Sequence, residues 1–297
     1  MIEVIGSFSL FPEQRPAAIV VSHERSGTHF LMNALAACYG YVSTPWVDFD
    51  RPALNINFFN PPEVREVLLA IAARPMANVV KSHHPAEFFA DELKHITERY
   101  VVFVMCRNPA AVLFSYWRYL HHWPWFEGPK VADPLELARA EPSGRMMGHQ
   151  LRQHRNVMQR LAAHVDGWLD AAAVLPNIVI VRYEDLDVRY EDTMRSFAPY
   201  LGRDPQAIAR PTRDFNVIPG GPPDPTERGV ASDTEALGKL CQESVGNTMA
   251  RLGYLGRGTM TATDYKPCNP SFGNEPTGNA PPFVTGIGVA GEPTRPA

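Results

Sequence analysis

The chain has 297 residues, 45% of them hydrophobic, enough apolar matter for one well-filled α/β domain. Its formal net charge is -4 and its pI about 6.2, so the molecule as a whole lacks the field that gathers nucleic acid or an anionic membrane surface, while a local anion pocket stays compatible with the acidic total. Cys38, Cys106, Cys241 and Cys268 stand far apart with no C-x-x-C pairing, which speaks against a zinc or dithiol site and for the reduced thiols of a cytoplasmic protein.

The amino terminus, MIEVIGSFSLFPEQRP, lacks a basic start followed by a long apolar run, and no later stretch reaches the length needed to cross a bilayer, so neither export nor membrane insertion is expected. Residues 17–22, AAIVVS, form a β-branched apolar run that ends in HERSGT. It passes into a segment where Phe30, Leu31, Ala34, Leu35 and Cys38 recur at helical spacing, with Gly40 as the stop. Ala77 to Lys81 is a second strand running into SHHP, Tyr100 to Cys106 a third running into RNP, and Ile178 to Val181 a fourth leading into RYEDL. Ser232 to Leu255 carries Leu237, Leu240, Val245, Met249 and Leu252, a last helix. From Gly256 the chain turns to Gly, Pro, Thr and Asn, a composition that buries little, so residues 1–255 are expected to form the domain and 256–297 a disordered tail. Apolar strands alternating with helices predict an α/β fold, a single domain with a central parallel sheet flanked by helices, whose ligands sit beyond the carboxyl ends of the strands.

The chemistry-bearing motifs fall at those ends. In HERSGTHFL, Ser26 and Gly27 permit a tight turn whose following amides and helix dipole favour a bound phosphate or sulfate, with a bidentate charge from Arg25 and a hydroxyl donor from Thr28. It is no Walker loop, since Thr28 stands where a lysine would follow the glycine; a plain capped turn would share the pattern. In KSHHP, Lys81 offers a cation and His83 a base of suitable pKa, with His84 as the rival and a strand cap and a spectator imidazole as the plainer readings. Trp117, Tyr119, Trp123, Trp125 and Phe126, with His121 and His122 among them, are either an aromatic wall for an acceptor or rings of the core. Adjacent helical histidines point apart, so no metal is expected there.

RSGTHFL, running Arg25, Ser26, Gly27, Thr28 and His29 into the helix, resembles the 5'-phosphosulfate loop of the PAPS-dependent sulfotransferases, where PAPS is 3'-phosphoadenylyl sulfate; arginine stands here in place of the lysine of the soluble aryl and steroid enzymes. KSHHP is similar to that family's K-T-H-x-P, which implies Lys81 and His83 as the catalytic lysine and general base beside Arg25. CRNPAAVLFSYWRYL resembles the 3'-phosphate segment, which implies Arg107 and, about two helical turns later, Ser115 as ligands. IVIVRYEDL resembles the Y-E-D-L element, with Tyr183 near adenine, or simply core, and Glu184 and Asp185 as structural carboxylates. ERGVASDTEAL aligns Arg228 and Gly229 with the closing loop, but its tryptophan and second glycine are missing.

The resemblance spans roughly Ile19 to Leu255. It omits Val42 to Pro62 and His121 to Arg155, which shape the acceptor pocket in such enzymes. It implies sulfuryl transfer from PAPS, without a metal, to a small-molecule or glycan hydroxyl. The alternatives are a P-loop kinase or NTPase, and a protein that binds PAPS without turnover.

Overall fold

The computed structural model describes residues 16–49, 60–74, 77–122, 125–212 and 230–255. The β-branched run after Pro16 is β1 (Ala17–Ser22), followed by α1 (Thr28–Tyr39), which Gly40 ends in a left-handed conformation at φ 68°. Next come β2 (Val42–Asp48), α2 (Pro61–Ala72), β3 (Asn78–Ser82), α3 (Ala86–Phe89), a 3-10 turn at Ala90–Glu92, α4 (Leu93–Thr97) and β4 (Tyr100–Cys106). The second half holds α5 (Pro109–His122), α6 (Pro134–Arg139), a 3-10 turn at Gly144–His149, α7 (Val157–Val174) and β5 (Ile178–Arg182). It closes with α8 (Tyr183–Val188), α9 (Tyr190–Arg195), α10 (Ala198–Leu201) and α11 (Val230–Arg251).

The sheet order is β2-β3-β1-β4-β5 and every pairing is parallel. Side chains alternate across it. Ile19, Val21, Val102 and Val104 face a core shared with α2, α5, α7 and α11, whereas Ala18, Val20, Val101, Phe103 and Met105 face one shared with α1 and α9. Both faces are therefore covered, as the apolar strands predict. The order reverses about β1, with β2 and β3 on one side and β4 and β5 on the other, and a ligand crevice forms outside the carboxyl ends at such a point.

The edge strand β2 falls in the stretch that carries no strand signal. Its sequence holds a proline, Pro45, and its register against β3 shifts between Val42 and Val47. An edge strand tolerates this because only one of its sides pairs. The expected tail from Gly256, and the Arg228–Gly229 pair, lie outside the described residues. Among the described residues no helix is long and apolar enough to cross a membrane.

Candidate active site

The turn between β1 and α1 is built on two left-handed residues, Arg25 at φ 67° and Gly27 at φ 103°. Gly27 is required there twice over, because a Cβ would also sit 2.6 Å from Tyr183 Cδ2. Inside the turn the Ser22 and Thr28 hydroxyls share a 2.5 Å hydrogen bond. Beneath it is a buried ion pair. Arg160, on α7 and 3% exposed, donates to both carboxylate oxygens of Glu24, at 2.9 and 2.7 Å, and to His23 Nε2 at 2.8 Å. His23 Nδ1 in turn donates to the Glu24 carbonyl at 3.0 Å. Burial alone would raise the Glu24 carboxyl, but Arg160, His23 and His149 outweigh it and hold it well below the usual carboxylate range. Glu24 thus points inward while its neighbour Arg25 is exposed at the rim.

Above the turn opens a pocket of about 560 Å³. Arg25, Gly27, Thr28, His29, Lys81, His83, Arg107, Ser115 and Tyr183 all line it, so the ends of β1, β3, β4 and β5 converge there. Ser26 is buried in the turn beneath. Arg25 Nε donates to Ser115 Oγ at 3.3 Å, joining the first motif to the third, and its guanidinium lies 5.0 Å from the Tyr119 ring centre. The Arg107 guanidinium covers the Tyr183 ring at 4.2 Å, so this tyrosine forms a floor at the pocket, not core alone. Glu184 accepts the Asn108 N–H at 3.0 Å and the Tyr254 hydroxyl at 2.5 Å, the structural part expected of it.

At the end of β3, Lys81 lies 3.5 Å from Asp48 on β2. His83 Nδ1 is 2.8 Å from the Ser22 carbonyl, which can only accept, so Nδ1 carries the proton and Nε2 is the lone-pair nitrogen. Burial, then Lys81, holds its pKa well below 6.5. The rival His84 turns the other way. It is buried and stacked 3.8 Å from Phe88, and it does not line the pocket. His29 packs against Trp46 at 4.9 Å, and burial with Lys81 and Arg25 nearby pushes it down to about 4, so it too is neutral.

The tryptophan-rich segment divides. Tyr119 reaches the pocket, Trp117 donates to the Val131 carbonyl at 3.0 Å, and Trp125 and Phe126 are 55% and 60% exposed. His121 and His122 donate to carbonyls of their own helix. Among the described residues no group of three or more His, Cys, Asp or Glu is placed to hold a metal. Glu24, Tyr116, Glu127, Met146 and His149 also line the pocket without a place in the motif reading. Glu24 stands inside the first motif and was open to notice; His149, on a 3-10 turn, has no local signal.

An anion-cradling glycine turn at the end of β1, with basic groups arriving from β3 and β4, defines an α/β protein whose crevice suits a phosphorylated or sulfated ligand. The chain belongs to the sulfotransferase domain family, whose profile matches residues 15–215. No curated protein matches it. Among solved structures it is similar to mouse sulfotransferase SULT7A1 complexed with PAP (15% identity, TM-score 0.44, 77% of this chain and 64% of that one). It is also similar to retinol dehydratase in a complex with retinol and PAP (16%, 0.44, 65% and 62%). A third is the sulfotransferase domain from the Synechococcus PCC 7002 olefin synthase (15%, 0.38, 77% and 96%). The chain thus spans less than two thirds of the length of the first two.

Proposed function

We propose that the protein transfers a sulfuryl group from PAPS to a hydroxyl of a small-molecule or glycan acceptor. The observation that carries this reading is the convergence of the Gly27 turn, His83 and Arg107 on one pocket of nucleotide size. The cradle fits the donor: a turn closed to any Cβ, amides at the start of α1, and cations from Arg25, Lys81 and Arg107 around it. When bound, PAPS supplies a sulfuryl group carried on a phosphate leaving group.

The chain's own residues do the rest. Arg25, Thr28 and the α1 amides hold the 5'-phosphosulfate end, and Arg107 with Ser115 the 3'-phosphate, with Tyr183 beside the adenine. Lys81 offsets charge that gathers on the leaving oxygen. His83 Nε2 takes the acceptor proton. An anion seated between Arg25 and Lys81 raises His83 from its depressed pKa toward the range useful to a base. The neutral His29 adds a donor near the same oxygens. The place of Arg228 and Gly229 in the 3'-phosphate site rests on the family resemblance alone.

Thr28 after Gly27 counts against a kinase-type loop, and His83 on the pocket wall favours turnover over passive binding. The buried Cys38, Cys106 and Cys241 are thiols, which fits a reducing compartment, hence a cytoplasmic location; cell fractionation that recovers the protein outside the cytoplasm would refute this.

Calorimetric titration with adenosine 3',5'-bisphosphate against ATP plus magnesium tests the donor assignment, and preference for ATP would overturn it. A panel of hydroxylated glycans, lipids and phenols, incubated with labelled PAPS and read by mass spectrometry, finds the acceptor. His83→Ala should abolish transfer while the bisphosphate still binds; retained turnover would assign the base elsewhere.

A further inference from the structure

Behind the pocket lies a second cavity of about 250 Å³, and His149 lines both. Its wall gathers buried polar atoms that have no hydrogen-bond partner among the described residues: His149 Nδ1, Gln150 Oε1, Arg160 Nε and both ring nitrogens of His164. His164 is 5% exposed, so bulk solvent does not serve its ring from elsewhere. The wall mixes donors with acceptors, which suits water and suits neither an anion nor a cation. Leaving these groups dry costs more than admitting water, and a cavity of this size has room for several molecules. At the outer end the exposed Glu87–Arg152 ion pair forms part of the lining, where the cavity meets the surface. On the inner side the rings of His83 and His149 stand 5.5 Å apart at 67°.

We propose that His149 and this hydrated cavity are the exit for the proton that His83 takes from the acceptor. The inference rests on sulfuryl transfer as set out above. In that step the acceptor O–H bond breaks and its proton goes to His83 Nε2. The oxygen's electron pair forms the new O–S bond, and the S–O bond to the nucleotide phosphate breaks with its pair left on the phosphate. Each turnover therefore leaves one proton on an imidazole, at a moment when both ligands fill the pocket in front of it. His149 accepts that proton on one ring nitrogen and releases one from the other to the water behind. It ends as the opposite tautomer, and exchange with the same water resets it.

Two variants test the route. His149→Phe keeps a ring between the cavities and removes both nitrogens. Gly167→Leu plugs the rear cavity from α7, where a Cβ would meet only the Ala86 Cβ at 3.9 Å, and a leucine favours the helix. Stopped-flow mixing with PAPS and the fastest acceptor of the panel, read by a pH indicator and by quenched product, times the proton against the chemistry. In the wild-type protein one proton per site should reach bulk with the first product. In Gly167→Leu the first product should form within twofold of the wild-type rate while its proton appears tenfold later or more, with product release. In His149→Phe the proton should likewise lag behind product, and added free imidazole should remove the lag. Proton and product appearing together in all the proteins would overturn the route. Independently of turnover, the ligand-free protein labelled with 15N-histidine should show exchange between water and the His164 ring N–H, lost in Gly167→Leu. A ring that does not meet water in the wild-type protein would also overturn it. A hydrated cavity in a protein that transfers nothing to any acceptor would overturn sulfuryl transfer, and the proton exit with it.

Discussion

Arg160→Met removes one partner of the buried pair beneath the anion turn and leaves the Glu24 carboxylate inside the protein. Four hydrogen bonds go with the guanidinium: two to Glu24 at 2.9 and 2.7 Å, one to His23 Nε2 at 2.8 Å and one to the Met146 carbonyl at 3.1 Å. The Tyr116 hydroxyl, 3.4 Å from Glu24, cannot replace them. Breaking a buried ion pair from one side costs about 3–5 kcal/mol, because the abandoned charge keeps its desolvation penalty without its attraction. The double variant Glu24→Gln/Arg160→Met removes that charge as well and should recover much of the loss, a coupling expected of groups in direct contact. Urea unfolding at pH 7, followed by circular dichroism, measures both. Because Glu24 and Arg25 are neighbours in the turn, loosening one should also disturb the other, and affinity for adenosine 3',5'-bisphosphate should fall about tenfold, or about 1.4 kcal/mol. A single variant that costs under about 1 kcal/mol, or a double variant no more stable than the single, would refute the view that this pair anchors the turn.

Gly27→Ala introduces a Cβ 2.6 Å from the Tyr183 ring at a φ of 103°, so bisphosphate affinity should fall at least tenfold in calorimetry; unchanged binding would mean that the turn is not the cradle. Arg107→Ala should weaken the bisphosphate far more than its 3'-dephosphorylated analogue, and equal losses would reassign the arginine. Acid should destabilise the fold early. Burial holds His23 at about 4 and His84 at about 3, so in the folded protein both stay neutral while the unfolded chain takes up protons below about pH 6.5. Stability is therefore complete above that value and declines as the pH drops, by up to about 1.4 kcal/mol per pH unit for each such imidazole. Glu24, whose pKa the fold depresses, adds its own loss only below about pH 4.5. A urea midpoint that stays level between pH 7 and pH 5 would contradict this.

Where structure depends on neighbours in the chain, the sequence is informative. Runs such as Ala17–Ser22 and Tyr100–Cys106 are apolar because both faces of a central strand are covered, and each stops at residues that cannot continue it: the Ser26–Gly27 turn and the Asn108–Pro109 pair. The same local logic places Arg25, Lys81, His83 and Arg107 at strand ends, and a parallel sheet brings strand ends together. The edge strand β2 escapes it, since its pairing against β3 is irregular and its sequence holds a proline.

Tertiary packing alone decides which side of a strand end a residue serves. His83 and His84 are neighbours with the same chemistry, yet one faces the pocket and the other stacks on Phe88, because α3 and α7 close over that side of the sheet. Glu24 meets Arg160 across 136 positions, and His149 joins the pocket from a 3-10 turn between α6 and α7. Such meetings leave no periodic trace in the chain: periodicity records which face of an element is apolar, and not which distant helix will be laid against it.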